Sequence, residues 1–231
     1  MRLTVNDIRA DFIDKLAAEE FTTDRTGQQT IELMGASFIA DEPAIFGTVN
    51  QDYVKSEIDW YLSGSTNIND LYRWDSKGDA PKDPPYAWQM TADEYGNINS
   101  NYGHLIFSNM YHEQYEMVLQ ELINNPDGRR ASMIYTRPSI WLEYNENGKN
   151  DFICTNSVTY YVRDNKLHAV VQMRSNDVVF GYKNDYAWQK YILDSLVKDL
   201  SGISKVNYEA GDIIWQVQNL HVYGRHFDLV K

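Results

Sequence analysis

The stretch KLHAVVQMRSNDVVFGYKNDYAWQ, residues 166–189, carries an apolar strand pattern directly into a helical pattern. Apolar residues alternate in its first half, which is typical of a strand, and the residues from Asp185 onward have helical spacing. Between the two patterns lie Arg174, Ser175 and Asp177. So much charge and polarity at the end of an apolar strand requires an explanation.

The rest of the chain shows the same mixture of patterns. Thr4 and Asp7 are spaced as a capping box at the start of a helix, and Gly35 indicates a bulge or kink within a strand. Asp164 and Asn165 predict a tight turn between two strands. In chain order, we predict helices over 4–21, 52–62, 105–123 and 185–202, and strands over 30–40, 129–144, 151–164, 166–177 and 211–223. This order favours an α+β fold, a mixed β-sheet packed with helices.

Composition limits the class of protein. The chain has 231 residues, 43% of them hydrophobic, and no linker-like segment, so we expect one domain over residues 1–231. Without a signal segment or an apolar run near the ~20 residues that span a bilayer, we expect a soluble, cytoplasmic protein with no membrane partner. The net charge of −12 argues against a nucleic-acid partner. The single cysteine excludes an intramolecular disulfide, and no Cys/His spacing indicates a metal.

Two reactive side chains occupy positions that the patterns make apolar. Glu57 lies on the helical stripe of Val54 and Tyr61, and strand alternation places Cys154 on the face of Val158. The residues alone leave two interpretations open for each. Glu57 is either structural, at an edge position or in an ion pair, or a catalytic carboxyl group. Cys154 is an inert small hydrophobe or a thiolate that a nearby cation stabilises.

Arginines are the candidate ligands for an anion. Each of them could be a solvated surface charge, but together they could form a bidentate phosphate site. They are Arg25, Arg129, Arg130 and Arg174. His221 and Tyr223 are two residues apart, on one face of a strand, where they could bind a sugar hydroxyl or form a satisfied core pair.

Several motifs follow one another along the chain. They are DRTG (24–27), EIDWYLSGSTN (57–67), NSNYG (99–103), NPDGRRASMIYTRPS (125–139), CTN (154–156), MRSNDVVFGYKNDYAWQ (173–189) and LHVYGRH (220–226). In this order they resemble the thymidylate synthase family, including the bacteriophage branch that hydroxymethylates deoxycytidylate. The resemblance implies the thymidylate-synthase-like α+β fold and a homodimer formed through the sheet.

The resemblance also implies a role for each candidate residue. Cys154 corresponds to the nucleophile that adds to pyrimidine C6, Glu57 to the carboxylate of an ordered water network, and Tyr102 to a tyrosine used in proton transfer. Asp177 and Trp88 would contact folate. The nucleotide would be bound by Arg25, Arg174 and Ser175 at its phosphate, by Arg129 and Arg130 of the other subunit, and by His221 and Tyr223 at the deoxyribose 3′-hydroxyl.

The implied reaction is hydroxymethylation of dCMP at C5. Thiolate addition at C6 makes C5 nucleophilic, 5,10-methylenetetrahydrofolate provides the one-carbon unit, and water rather than hydride completes the product. Met173 and Thr155 depart from the synthases, which carry glutamine and histidine there, and agree with the hydroxymethylase branch. The chain stops at HFDLVK (226–231) without the family's longer tail, which could mean truncation, a wetter site or weaker folate binding. The alternatives are methylation or hydroxymethylation of dUMP or CMP, and a catalytically silent nucleotide-binding homologue.

Asp185 stands where thymidylate synthases carry the asparagine that reads uracil. Cytosine presents an N4 donor beside an N3 acceptor, the reverse of uracil, and a carboxyl group that shares one proton with N3 complements it. We therefore expect Asp185 to select dCMP. The alternative is that Asp185, like the adjacent Asn184, caps the helix that we predict to begin there.

Overall fold

The computed structural model describes residues 2–73 and 83–231. The chain divides into unit 1, which comprises Met1–Val49, Glu121–Ser132 and Val158–Lys231, and unit 2, which comprises Asn50–Gln120 and Met133–Ser157. The strands are β1 Leu3–Thr4, β2 Thr22–Thr23, β3 Gln29–Ile39, β4 Ser132–Ile134, β5 Thr155–Arg163, β6 Lys166–Asp177 and β7 Glu209–Tyr223. The α-helices are α1 Val5–Ala17, α2 Gln51–Ser63, α3 Tyr86–Gln89, α4 Tyr102–Phe107, α5 Gln114–Asn124, α6 Ile140–Glu143 and α7 Gly181–Ser204. Short 3₁₀ helices cover Ile68–Asp70, Asn109–Tyr111, Glu146–Gly148 and Gly224–Leu229.

Unit 1 is built on the mixed β-sheet. Among the described residues the strand order is β1-β3-β7-β6-β5-β4, and β2 pairs with β3. β7 pairs antiparallel with β3 and parallel with β6, so the last strand of the chain lies in the middle of the sheet. Helices α1 and α7 pack on these strands. The predicted α+β fold with a mixed sheet is confirmed.

Local sequence signals account for the edges of unit 1. Asp7 accepts hydrogen bonds of 2.8 Å from the backbone N–H and from the hydroxyl of Thr4, so the predicted capping box starts α1. Asp164 and Asn165 both have positive φ, 51° and 58°, in the tight turn that joins β5 to β6. Gly35 has a φ of +72°, but the register with β7 is unbroken around it, so it kinks β3 without a bulge.

Helix α7 begins earlier than its sequence pattern predicts. Oδ1 of Asp177 accepts backbone hydrogen bonds from Val179, Phe180 and Gly181, which holds the turn from which the helix starts. The helix starts at Gly181 and runs past Gly202 to Ser204. Asp185 therefore lies within the second turn, and the interpretation of it as a helix cap is wrong. Neither α7 nor another helix of the described ranges is long and apolar enough to cross a membrane.

Unit 2 consists mainly of helices, and α2 and α4 approach each other closely within it. A Cβ atom on Gly103 would lie 1.8 Å from the backbone oxygen of Tyr61, so no larger residue fits at this position of α4. Asn101 starts α4 by accepting a 2.7 Å hydrogen bond from the N–H of His104. Its amide Nδ2 donates to the carbonyl oxygens of Trp60 and Ser65, which ties α4 to the end of α2.

Two predicted elements of unit 2 are wrong in extent. The helix predicted over 105–123 is broken between α4 and α5, where His112 and Glu113 have positive φ, 66° and 46°. Beyond the break, the Gln114 amide donates to the backbone oxygens of Leu105 and Ile134. The strand predicted over 129–144 is limited to β4, since the chain turns at the proline that precedes α6. Cys154 lies immediately before β5, so its predicted place within the strand is also wrong.

Candidate active site

Glu57 lies on α2 among hydrogen-bond donors that aromatic side chains provide. Its oxygen Oε1 accepts a hydrogen bond of 2.5 Å from the Tyr53 hydroxyl and one of 3.2 Å from the indole N–H of Trp88. The same N–H lies 3.0 Å from the Tyr53 oxygen. Tyr53 is one turn before Glu57 on α2, and Trp88 is on α3. Among the residues that the structure describes, the partners of this carboxyl group are thus a hydroxyl and an indole rather than a cation.

Burial dominates the protonation of this group. Only 4% of Glu57 is exposed, and desolvation raises its pKa to about 7 although the hydrogen bonds from Tyr53 and Trp88 act in the opposite direction. Burial and the neighbouring Glu57 raise the pKa of Tyr53 well above its usual value, so the phenol keeps its proton as a donor. A carboxyl group with a pKa near neutrality can both accept and release a proton at physiological pH, which favours a catalytic interpretation.

A row of aromatic rings extends from Trp88 to the segment that holds the cysteine. Trp88 contacts Trp60 edge to face at 5.2 Å, and Trp60 stacks on Tyr61 at 5.5 Å. Tyr102 lies 5.3 Å from Tyr61 and 5.2 Å from Tyr135, measured between ring centroids. These rings belong to unit 2 and fill its core with large apolar surfaces. Trp88, at one end of this row, is the ring that contacts Glu57.

The structure brings Tyr102 to the residue that follows Cys154. The Thr155 hydroxyl donates a 2.9 Å hydrogen bond to the Tyr102 hydroxyl, and both side chains are buried. Cys154 is half-buried, with its Sγ 3.9 Å from the carbonyl oxygen of Phe152. Unit 2 therefore contains Cys154, Glu57 and Tyr102, three of the four residues that we predicted to be catalytic. Asp185 is in unit 1, and the predicted folate contact Trp88 is in unit 2.

The predicted nucleotide ligands of unit 1 meet where β6 and β7 end side by side. In this parallel pair, Ser175 is opposite Asn219 and Asp177 is opposite His221. The His221 and Tyr223 rings are 4.9 Å apart, edge to face. Arg174 precedes Ser175 on β6, and both are half-buried. Three residues of β6 and two of β7 thus share one end of the sheet, as a ligand site requires.

Asp177 has a second oxygen that the helix start does not use. Its Oδ1 accepts the three backbone hydrogen bonds that begin α7, whereas its Oδ2 is buried without a hydrogen-bond partner among the described residues. An unsatisfied carboxylate oxygen is costly to bury. Such an atom suits a ligand that presents N–H donors. The family resemblance implies a folate contact for Asp177.

A hydrogen bond from a residue of the β-sheet positions the Asp185 side chain. Its Oδ2 accepts a 2.8 Å hydrogen bond from Nδ2 of Asn176, the residue of β6 between Ser175 and Asp177. Oδ1 of Asn176 accepts a 3.2 Å hydrogen bond from the indole N–H of Trp215 on β7. Asn176 is 4% exposed and Trp215 is fully buried. An interior chain of two hydrogen bonds thus ends on the residue that we predict to read the base.

The predicted phosphate arginines have different settings. Arg25 is exposed in a turn that Asp24 stabilises by accepting hydrogen bonds from Thr26 and Gln28. Arg129 and Arg130 are exposed between α5 and β4. Nε of Arg130 donates a 2.8 Å hydrogen bond to Glu121. Thus Arg174 is half-buried, and the other three arginines expose their side chains to solvent.

Three residues that we did not predict contact the candidate site residues. Tyr53 has a signal in the sequence, the four-residue helical spacing to Glu57. Arg225 donates a 2.6 Å hydrogen bond to Gln28, and its guanidinium lies 4.3 Å from the ring centroid of Tyr223, so it connects the turn of Arg25 to β7. The sequence gives no such signal for Asn176, because the alternation of buried residues along β6 would place its side chain on the opposite face of the strand.

Comparisons with known proteins identify the family of the chain. The family model described as thymidylate synthase matches residues 11–231, so the chain belongs to the thymidylate synthase family. The chain is 52% identical to the deoxycytidylate 5-hydroxymethyltransferases of Enterobacteria phages T4 and T2 over 229 residues, which are 99% of this chain and 89% of each relative. It is 27% identical to the thymidylate synthase of Bacillus subtilis subsp. natto over 178 residues, 74% of this chain and 56% of that one. The crystal structure of thymidylate synthase from T4 phage has the same fold, with a TM-score of 0.71 and 24% identity over 94% of this chain and 77% of that chain.

Proposed function

We propose that this protein is a deoxycytidylate 5-hydroxymethyltransferase, which converts dCMP to 5-hydroxymethyl-dCMP with 5,10-methylenetetrahydrofolate as co-substrate. Its likeness over nearly the whole chain to the phage enzymes of that name supports the reaction. One geometric observation carries the choice of base. Asp185 is a carboxyl group that accepts a hydrogen bond from Asn176, and a carboxyl group complements cytosine better than uracil.

The proposed chemistry begins with Cys154. Its thiolate adds to C6 of the cytosine, which turns C5 into an enamine-like carbon that can attack an electrophile. Glu57 orients water and transfers protons, since its pKa of about 7 lets it act in either direction. Tyr102 assists proton transfer beside the cysteine segment. Asp185 holds the N3 and N4 edge of the base. After the one-carbon unit joins C5, the C5 proton is released and tetrahydrofolate leaves, water adds to the exocyclic methylene, and the cysteine leaves C6 as the product forms.

The folate would be held by Asp177 and Trp88. The buried Oδ2 of Asp177, without a partner among the described residues, fits a ligand with N–H donors, and the half-buried indole of Trp88 offers a flat apolar surface. When bound, 5,10-methylenetetrahydrofolate supplies the one-carbon unit. These two residues position it, while Glu57 controls the water that this reaction needs in place of a hydride.

The nucleotide phosphate would be bound by arginines of two subunits. We assign Arg25, Arg174 and Ser175 to the subunit that holds the base, and His221 with Tyr223 to its deoxyribose hydroxyl. Arg129 and Arg130 would reach the phosphate of the other subunit, in a homodimer formed through the sheet. Their exposed side chains, and the 83% exposed Met34 on β3, support this assignment. We also propose that residues 1–231 act as one catalytic domain, since the likeness to the phage enzymes covers 99% of the chain.

Product analysis tests the proposal. The protein is incubated with methylenetetrahydrofolate and, separately, with dCMP, dUMP and CMP, and the products are identified by mass. We expect addition of CH₂O to dCMP. A methylated product, or turnover of dUMP or CMP in preference to dCMP, would replace the proposed reaction by another of the same family. Absence of tritium release from 5-labelled dCMP by a folded dimer would indicate a silent nucleotide-binding protein.

The subunit assignment has its own test. Two inactive variants, Arg130→Ala and Cys154→Ala, are mixed and allowed to exchange subunits. Activity should reappear, because the mixed dimer contains one site with both native groups. Proven exchange without recovered activity would place Arg130 outside the partner's site.

A further inference from the structure

We propose that Trp215 and Asn176 form a relay that fixes Asp185 as a hydrogen-bond acceptor and thereby sets the preference for cytosine over uracil. This inference rests on the proposed function, because it assumes that Asp185 faces the base. It adds two specificity-determining residues that do not themselves contact the base. The relay comprises the Trp215 indole N–H, the Asn176 carboxamide and Oδ2 of Asp185.

The orientation of the Asn176 amide follows from the chemistry of its first partner. An indole N–H can only donate, so the Asn176 atom 3.2 Å from Nε1 of Trp215 must be the carbonyl oxygen. The amino group of Asn176 then has to point the other way, where it lies 2.8 Å from Oδ2 of Asp185. Trp215, fully buried in the core, thus decides which end of the amide Asp185 meets.

The consequence for Asp185 concerns its hydrogen-bonding role. An amino group donates to Asp185 Oδ2, and a donated hydrogen bond stabilises an ionised carboxylate more than a neutral carboxyl group. If the amide were reversed, its carbonyl oxygen would face Asp185 and favour the protonated form. Protonated Asp185 could donate to O4 of uracil, whereas the carboxylate repels that oxygen. With the ionised form favoured, Asp185 accepts from N4 of cytosine and the proton that the pair shares lies on N3, whereas uracil would set its O4 against the carboxylate. The relay therefore favours dCMP over dUMP.

The backbone explains why a polar residue at position 176 reaches the core at all. Buried positions alternate along β6 up to Met173 and then resume at Asn176, so the alternation changes phase across Arg174 and Ser175. The change turns Asn176 inward to Trp215. A Cβ atom on Gly181, at the start of α7, would lie 3.1 Å from Nδ2 of Asn176, so the helix start closes over the amide and restricts its movement.

The test uses substitutions that alter the relay with little change of shape. Asn176→Asp keeps an acceptor for Trp215 but replaces the donor to Asp185 by an oxygen, so two carboxyl groups must share a proton. We expect the ratio of kcat/KM for dCMP to that for dUMP to fall by about tenfold or more. Trp215→Phe leaves the amide free to reverse, and the ratio should fall by a smaller factor. Thr159→Val, which removes a hydroxyl pair with Ser132 elsewhere in the sheet, should leave the ratio unchanged.

Controls separate the relay from mere structural support and from the proposed function. A loss of stability alone would lower kcat/KM for both nucleotides equally, so a changed ratio with a retained melting temperature supports the relay. If Asn176→Asp does not fold, Asn176→Ser replaces it, since one hydroxyl is too short to bridge both partners. An unchanged ratio in the Asn176 variants, while Asp185→Asn shifts it, would overturn the relay and leave the role of Asp185 intact. An unchanged ratio in Asp185→Asn as well would overturn the base-reading role itself, and a wild-type protein without activity on dCMP would overturn the reaction.

Discussion

Each unit contains one carboxyl group of the candidate site, and the surroundings of the two groups differ. In unit 2, Glu57 is buried among aromatic rings and receives hydrogen bonds from a phenol and an indole, and burial raises its pKa to about 7. In unit 1, Asp185 receives its hydrogen bond from an amide whose orientation Trp215 fixes. In the function that we propose, desolvation suits the first group to carry a proton, and a fixed donor suits the second to read the base. In the proposed reaction, unit 2 supplies the chemistry and unit 1 supplies most of the recognition.

The largest effect should come from Cys154→Ser in unit 2. A serine hydroxyl is far harder to ionise than a thiol, so turnover should fall by at least about three orders of magnitude. Affinity for dCMP, measured by calorimetry, should be nearly unchanged because most recognition residues are in unit 1. Near-normal turnover would contradict covalent catalysis. A clear loss of affinity would show that Cys154 also contributes to binding of the nucleotide.

Replacing the buried carboxyl group of unit 2 should come next. Glu57→Gln should lower kcat by roughly 10²–10⁴-fold, the usual contribution of a general acid or base, and should abolish the ionisation near pH 7 in the pH profile. Asp59→Asn, which changes a surface partner of Lys55 on the same helix, is the matched control. An ionisation near pH 7 that persists in Glu57→Gln would have to belong to another group.

The same substitution should reveal the cost of burying Glu57. Its pKa is about 7 in the folded protein against an ordinary value of 4.5, so the unfolded chain loses the proton first as pH rises. Stability from the protonated group is therefore fully present below about pH 4.5 and is lost as pH rises through 7. Relative to wild type, Glu57→Gln should gain up to about 3 kcal/mol between these limits.

Urea unfolding at about pH 5 and pH 8 measures this change. Ser56→Ala, at the neighbouring buried position of α2, provides a control without a titrating group. A difference between Glu57→Gln and wild type that does not depend on pH would contradict the raised pKa.

In unit 1, Asp185→Asn should change selectivity more than rate. An amide that faces cytosine leaves a buried donor or acceptor unpaired, so the preference should shift from dCMP toward dUMP by roughly one to two orders of magnitude. Values of kcat/KM for both nucleotides, on wild type and variant, measure it. If the ratio does not move, the base is read by another residue.

The smallest effect concerns Tyr53, the unpredicted partner of Glu57. Tyr53→Phe removes a hydrogen bond that favours the carboxylate, so the Glu57 pKa should rise further and the ionisation in the pH profile should move up by roughly one unit. Tyr86→Phe, on an exposed tyrosine of α3, should leave the profile in place. A downward movement in Tyr53→Phe would show that the hydroxyl does not stabilise the ionised form.

What could be predicted from the sequence is mainly what neighbours along the chain determine. The Thr4 and Asp7 capping box and the Asp164–Asn165 turn are local, and both are confirmed. The α+β fold followed from the order of patterns, and membership of the family from motifs spread over the chain. The break between α4 and α5 was not predicted, because the helical spacing continues across His112 and Glu113, whose φ values of 66° and 46° interrupt the helix.

The candidate site divides in the same manner. The residue types of Cys154, Glu57 and Asp185 were recognisable from motifs, but their partners were not. Trp88 reaches Glu57 across 31 positions, and Trp215 reaches Asn176 across 39. The inward position of the Asn176 side chain also depends on a change in the alternation of buried residues within β6, which the sequence pattern does not predict. Spatial partners, rather than reactive groups, were the part that required the structure.

The central place of β7 affects how the chain can fold while it is being synthesised. β3 and β6 are both made before β7, and the edge by which each of them pairs with β7 stays unpaired until β7 is present. Until then the nascent chain exposes unpaired strand edges, which attract other chains and favour aggregation. Pairing of Thr30 with Tyr223 also closes a very long loop, which slows folding. Production of the protein should therefore benefit from low temperature and from chaperones that protect the chain until its last strand has emerged.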